Sequence, residues 1–399
     1  MLKRLLDPVR SAVGSVAGFL RALRVPGGAA GRALLALSLV AVLATGGWFV
    51  VQQQRVAGKT GEQAGASGAP LANASRVPEV LRAAAPIKAT APGSTGPQLS
   101  RWAKQMAKRM DIPARALAGY ALAELKIRKD IPGCHLSWVT LAGIGATGSN
   151  HGRDDGNRLL AGGELSSPLE TLPLRGPDGK TVDSRSAIGP MQLPVGLWDE
   201  WRRSENGKPN PQDIDDAALT TGTALCADGR DTGTGEGWWS AIKSVRDSDL
   251  FLQRVLANAN VYGTIATTKQ PLDGKVLTAV RWAISKIGLP YVWGGNGLES
   301  GDAGFDCSGL TKYSYQSAGV GLPRTAHTQY LATEKVPPNE EPRLGDLVFY
   351  GSPQGRIHHV GMYIGNGQMI NAPTFGMAVQ IHSYRTPGDD YAGAGRPVG

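Results

Sequence analysis

An uncharged apolar run, "ALLALSLVAVLATGGWFVV" from Ala33 to Val51, divides the chain before any fold can be considered. It is just long enough to cross a bilayer as a helix, and Trp48 near its end suits the lipid–water interface. A buried core helix would need a polar face, which this run lacks. Ahead of it Lys3, Arg4, Arg10, Arg21, Arg24 and Arg32 outnumber the single acid Asp7. The positive-inside rule therefore predicts residues 1–32 as a cytoplasmic leader, 33–51 as one transmembrane helix, and everything later as extracellular. The leader is long for a cleaved signal peptide and no A-x-A site follows, so the span is expected to persist as an anchor.

Residues 52–99 turn to Gly, Ala, Ser, Thr and Pro ("AGKTGEQAGASGAP", "ATAPGSTGPQ") and offer little to pack. They read as a flexible linker with a reach of roughly 35–40 Å. From Ser100 the texture becomes helical. Ser100 can cap "RWAKQMAKRM", Pro113 suits the first turn of "ARALAGYALAELKIR", and "HLSWVTLAGIGA", "QDIDDAALTTGTALCAD", "GWWSAIKSV" and "SDLFLQRVLANANVYG" follow, with no strand alternation before Tyr262. Residues 100–268 are thus expected to form a mostly α domain. Residues 269–399 differ: a helix, "KVLTAVRWAISKIG", precedes the short alternating runs "LGDLVFYG", "HHVGMYIGNG", "QMINA" and "AVQIHSY" with Gly-rich turns. Helix first and antiparallel sheet after makes an α+β domain.

The chain holds three cysteines, and outside the membrane they can be oxidised. Cys134 and Cys226 share the helical region, whereas Cys307 lies apart. The economical pairing joins Cys134 to Cys226, contributing on the order of 4 kcal/mol in the chain-entropy picture. Cys307 is left as a free thiol. The net charge of +9 favours anionic neighbours. The basic residues are spread, and no nucleic-acid motif appears, so a polyanionic surface is expected and nucleic acid is not. No HExxH, no CxxC and no cluster among the scattered histidines points to a metal, and no cofactor is expected.

Cys307 opens "CSGLTKYSYQSAG", in which Leu310, Tyr313 and Ser317 recur at helical spacing and Gly319 fits a stop. A thiol at a helix N-terminus meets unpaired amides and the helix dipole, which favour the thiolate. In "IHHVGMYIG", alternation groups His358 with Val360, Met362 and Ile364, and His359 with Gly361 and Tyr363. Gly361 leaves room beside His359, which is therefore the better acceptor for the thiol proton. Asn371 in the following strand is placed to orient that imidazole.

The ordered run "LPYVWGG", "FDCSGL", "LPRTAHTQ", "LGDLVFY", "HHVGMYIGNG" and "MINAP" resembles the NlpC/P60 cysteine peptidases over about residues 275–399. The resemblance implies a reduced papain-like fold, with Cys307 as nucleophile, His359 as base and Asn371 at a third position that is commonly His. It places the tyrosine that helps hold the site at Tyr291, and flanks the nucleophile with Asp306 and Ser308, which shape substrate binding or cap the helix. It also implies hydrolysis of the γ-D-glutamyl to diamino-acid bond in peptidoglycan stem peptides.

The segments "CHLSWVTLAGIGATGSNHG", "SAIGPMQLPVGLWDEW", "PQDIDDAALTTGTALCADG" and "GWWSAIKSVRDSD" resemble the lysozyme-like lytic transglycosylase domains, including a cysteine pair matching Cys134 and Cys226. That family uses one glutamic acid, and Gly148 stands at its position here. Its later "YN" pair is matched by Val245 and Arg246. The resemblance therefore implies a scaffold without its general acid. Glu124, Asp154, Asp155 and Glu164 are the nearest acids, but none lies on the motif. Trp198, Trp201, Trp238 and Trp239 either stack on sugars or fill the core. His151, His327 and His382 are given only surface or structural roles.

The expected whole is a multidomain chain, anchored by one N-terminal helix, that carries a degenerate lysozyme-like domain and an active thiol protease domain to peptidoglycan. Two alternatives stay open: a non-catalytic envelope component of a secretion or conjugation assembly, and a dual peptidase and transglycosylase.

Overall fold

The computed structural model describes Ala91 and residues 96–204, 206–269 and 271–397. The leader, the apolar run 33–51 and nearly all of the linker lie outside these residues. Among the described residues no helix is long and apolar enough to cross a membrane.

The first half is helical: α1 (Pro97–Met110), α2 (Ala114–Asp130), α3 (Trp138–Ser149), α4 (Val195–Trp201), α5 (Ile214–Leu225), α6 (Gly235–Val245) and α7 (Asp249–Thr267). Side chains cap where their chemistry directs: Asp213 accepts from the Asp215 and Asp216 amides, Thr234 from Gly237, and Ser248 from Phe251. Helix α1 starts at Pro97 rather than after Ser100, because Pro is tolerated in the first turn, where its missing N–H needs no partner. Pro113 sits just ahead of α2, one place earlier than its first turn. Between α3 and α4 lie two small antiparallel ribbons that sequence alternation does not reveal: β1 (Leu174–Arg175) with β2 (Thr181–Asp183), and β3 (Ala187–Ile188) with β4 (Leu193–Pro194). Strands of two or three residues are too short to display a period.

Cys134 and Cys226 are joined, tying the segment before α3 to the end of α5, and Cys307 is free and buried. Trp198, Trp238 and Trp239 are buried in the core, and the Trp238 indole N–H donates to the Thr140 hydroxyl at 3.1 Å. These three rings fill the helical core and are not presented to a ligand.

The second half opens with α8 (Gly274–Ser285), α9 (Cys307–Ser317) and α10 (Ala326–Ala332). A six-stranded antiparallel sheet follows, built from β5 (Glu334–Lys335), β6 (Leu347–Gly351), β7 (Ile357–Gly365), β8 (Gln368–Asn371), β9 (Gln380–Ser383) and β10 (Tyr391–Arg396) in the order β5-β10-β6-β7-β8-β9. The alternation of β7 is realised. Val360, Met362 and Ile364 face the main core shared with α9, while Tyr363 joins Tyr350 and Met369 on the other face. Helix α7 is common to both halves: Gln253 accepts from the Ile381 amide at 2.9 Å, and Asn260 donates to Gln368 on β8. One continuous core therefore runs from the helices into the sheet.

Candidate active site

Cys307 is the first residue of α9, and Asp306 is its N-cap. The Asp306 carboxylate accepts from the Gly309 amide at 2.6 Å and from the Ser308 hydroxyl at 3.2 Å. Gly309 is required for this first turn to approach the preceding loop, since a Cβ there would overlap the Gly295 carbonyl oxygen. Arg324 closes the arrangement. Its guanidinium reaches both Asp306 oxygens at 2.9 and 2.8 Å, the Ser308 hydroxyl oxygen at 3.1 Å and the Gly295 carbonyl at 3.2 Å. Gln329 ties the same helix to α10, donating to the Ser308 and Pro323 carbonyls at 2.9 Å each and accepting from Thr311 at 2.7 Å.

The thiol opens on a cleft of about 530 Å³ lined by Tyr291, Trp293, Asp306, Ser308, Arg324 and His358 among others. Tyr291 meets Phe375 edge-on at 5.1 Å, and Trp293 stacks on the same ring at 6.5 Å. Trp293 and Phe375 are exposed, so an apolar rim borders the thiol.

The backbone N–H of Val360 faces the Cys307 sulfur, which brings β7 to the nucleophile at the peptide following His359. His359 itself is buried, its ring 5.7 Å from that of Tyr350 across the strand pair. Among the described residues its Nε2 has no hydrogen-bond partner, and no hydrogen bond joins it to Cys307 or Asn371. Asn371 lies across from Gly361, two residues along β7 from His359, because the β7–β8 register sets it there. Its Oδ1 faces His382 Nδ1 at 3.3 Å, while its Nδ2 is also unpartnered. The room expected at Gly361 is taken up: a Cβ there would meet the Met369 sulfur and the Asn371 Cβ. His358, exposed on the cleft, is paired with Asp390 at 2.6 Å.

Burial dominates the electrostatics. It pushes the Cys307 thiol up to about 11, with the Asp306 carboxylate adding to the rise and the Val360 and Ser308 donors opposing it. Burial, then the neighbouring His358 and His382, bring His359 down to about 3. Burial alone lowers His382 to about 4. The resting pair is thus a neutral thiol and a neutral imidazole. The expected stabilisation of thiolate by the helix end is outweighed by burial and by the Asp306 carboxylate, which takes up the Gly309 amide and carries the wrong charge. Burial also raises the Tyr291 hydroxyl, with Cys307 and Asp306 contributing.

Residues 288–392 match the model of the NlpC/P60 family. The C-terminal part of this chain is an NlpC/P60 domain. Over 118 residues the chain is 43% identical to peptidoglycan endopeptidase RipA of Mycobacterium tuberculosis, covering 27% of this chain and 24% of that protein. It is 46% identical over 102 residues to the bifunctional muramidase/DL-endopeptidase CwlT of Bacillus subtilis, covering 25% and 30%. A gamma-D-glutamyl-L-lysine dipeptidyl-peptidase of Bacillus cereus is 42% identical over 117 residues, covering 28% and 33%. The chain therefore spans between 24% and 33% of the length of these curated relatives.

The NlpC/P60 domain gathers Cys307, Asp306, Ser308 and Tyr291 around one cleft; His359 and Asn371 do not line it and lie on the sheet face of Tyr350 and Met369. Arg324 was not singled out from the sequence, although it stands within "LPRTAHTQ". A lone arginine in a loop carries no local signal of the carboxylate it will meet. His382 also has more than a surface role, as the partner of Asn371.

In the helical half, Gly148 is the position at which the resemblance implies an acid. The space beside Gly148 is occupied by Gln192, whose Cβ lies 3.2 Å from where a Gly148 Cβ would stand. Gln192 is fixed there by bonds to the Leu172 amide at 2.6 Å and to the Glu170 and Gly189 carbonyls at 3.0 Å each. Glu124 is buried and occupied, accepting from the Trp138 amide at 2.9 Å and the Ala91 amide at 3.1 Å and pairing with Arg128. His151 is a core residue, held between the Tyr120 and Tyr262 hydroxyls at 3.0 Å each. Arg246 is buried beside Asp183 at 3.3 Å. Among the described residues no group of acids, histidines and cysteines suits a metal ion.

Proposed function

We propose that the chain is a membrane-anchored, outward-facing peptidoglycan hydrolase whose NlpC/P60 domain cleaves stem peptides at the γ-D-glutamyl to diamino-acid bond. The observation that carries this is a free thiol at the first turn of a helix, set in a rimmed cleft of a domain matching the NlpC/P60 model. The names of the relatives support peptidoglycan as the substrate. The sulfur of Cys307 attacks the scissile carbonyl carbon as its proton passes to His359. The amide C–N bond then breaks, the leaving amine takes that proton, and a thioester remains for water to hydrolyse. Both groups begin neutral, so proton transfer accompanies attack. Amides at the start of α9 stabilise the oxyanion. Asn371, whose Oδ1 faces His382 in the structure, has to turn its amide toward His359 to orient it; Tyr291, Asp306 and Ser308 shape the subsite, with Arg324 fixing the last two.

The apolar run 33–51 and its basic leader support anchoring, with the N-terminus inside. The helical half is read as a lysozyme-like domain that has lost glycan cleavage and keeps a binding role, on the strength of its motifs and of Gln192 beside Gly148. Mass spectrometry of purified wall digested by the wild type and by Cys307→Ala tests the reading. Stem-peptide fragments are expected from the first alone, and equal release from both sinks it.

A second assignment of the base rests on one observation: His358, not His359, lines the cleft and is oriented by a carboxylate, Asp390. Loss of turnover in His359→Ala with retention in His358→Ala supports His359, and the opposite pattern transfers the role.

A further inference from the structure

A second cleft, of about 460 Å³, lies away from the thiol where α3, α7 and the β1–β2 turn of the helical half meet α8. Its charged lining is one-sided: Arg153, Arg175, Arg254 and Arg281 against the single carboxylate of Asp111. That carboxylate is already shared, by Arg153 at 3.1 Å and by Arg281 at 3.1 Å. Arg175 spends its guanidinium on the Gly179 carbonyl and the Thr181 hydroxyl, and Arg254 donates to the Arg175 carbonyl at 2.9 Å. Neither pairs with a carboxylate among the described residues. The Nε of Arg254 is out of reach of solvent and has no acceptor.

A guanidinium withdrawn from water with a donor unmet costs free energy that an anion recovers. The same withdrawal lowers the Arg254 pKa, with no neighbouring charge to oppose it. The cleft's size falls in the range of small-molecule sites, roughly 300–1,000 Å³. Gly148 itself, which faces Gln192, takes no part in this lining, although its neighbours Thr147 and Asn150 do.

We propose that this cleft binds a small polyanion through carboxylate or phosphate oxygens, with Arg254 and Arg175 as the principal donors. Two carboxylate-free guanidiniums on one wall suit a ligand with more than one anionic group, each able to accept paired hydrogen bonds from a planar fork. The site acts in recognition. Its location against α8, which leads into the NlpC/P60 domain, gives both halves a share in the ligand.

The test is calorimetric titration of the full chain at low ionic strength with inorganic phosphate and, separately, citrate. At least one of them is expected to bind the wild type. Arg254→Gln and Arg175→Gln are each expected to weaken that binding at least tenfold, while Arg101→Gln, on the exposed side of α1, leaves it unchanged. Binding of phosphate alone assigns a phosphate-bearing ligand, and of citrate alone a carboxylate-bearing one. If Arg254→Gln fails to fold, Arg175→Gln on its exposed strand decides. Absence of binding by both anions, or equal loss in Arg101→Gln, overturns the proposal. Peptide cleavage by Cys307 is read in parallel and is expected to persist in the arginine variants, so this outcome is independent of the catalytic assignment.

Discussion

Helices α3 and α9 each carry one position singled out by a resemblance, Gly148 and Cys307, and the surroundings of the two differ. At the end of α3, Gly148 meets a fixed Gln192, and the nearby acids are occupied by backbone amides or lie off the motif. At the start of α9, Cys307 is free and is framed by Asp306, Ser308 and Arg324. Both halves are well packed, with a disulfide in the first and a six-stranded sheet in the second. Packing therefore does not distinguish the two positions. What distinguishes them is whether the side chains left at the decisive position carry a group able to give or take a proton or an electron pair.

Five expected outcomes can break or sharpen this contrast. The largest is for Cys307→Ala: stem-peptide turnover by the NlpC/P60 domain should fall by at least about a thousandfold, since no other residue supplies the electron pair. Product analysis of digested wall reads it. Next is removal of the Cys134–Cys226 bridge in the paired serine variant, which should cost the helical half about 4 kcal/mol by the loop-entropy rule, measured by denaturant unfolding. An unchanged midpoint would show that the bridge adds nothing to the helical scaffold.

Arg324→Met leaves the Asp306 carboxylate without its bidentate partner. The pair is only partly buried, with side chains 33% and 13% exposed, so a cost of about 2 kcal/mol is expected, below the ~3–5 kcal/mol of a fully buried pair. Turnover should drop with it, and an Arg324→Lys variant should recover stability better than activity.

Thiol alkylation against pH comes fourth. With Cys307 near 11 and His359 near 3, the resting pair stays neutral from weakly acid to weakly alkaline pH. Alkylation should accelerate as pH rises above about 9, and turnover should decline only as strong acid protonates His359. An apparent thiol pKa below about 8.5 would instead indicate a resting thiolate–imidazolium pair. The smallest expected effect is for Gly148→Glu: no glycan cleavage, because Gln192 holds the space an acid would need. Anhydro-sugar products from that variant would mean that a single residue separates the helical half from activity.

Much of this was legible from residue order. The helical segments that became α2, α3 and α5–α7 were legible from their texture, whereas the cap expected at Ser100 was not realised, because α1 begins at Pro97. The β7 alternation put His358 and His359 on opposite sides of the strand, and in the structure His358 is the one that lines the cleft. Counting cysteines found the free thiol. The tiny β1–β4 ribbons escaped because two residues have no period. Arg324 escaped because its partners, Asp306 and Gly295, lie far along the chain. The Asn371–His382 contact escaped because it depends on the register between β8 and β9.

By itself, then, the sequence determined which atoms can react: one unpaired thiol, histidines on a strand, and no acid at Gly148. Those are properties of local order and of composition, fixed before folding. Tertiary structure alone decided how reactive they are and what surrounds them. Desolvation holds Cys307 and His359 neutral, a distant guanidinium secures Asp306, and four arginines from separate segments converge on a cleft with one carboxylate. Charge states and clefts depend on what is packed alongside, and that is known only when the chain has closed on itself.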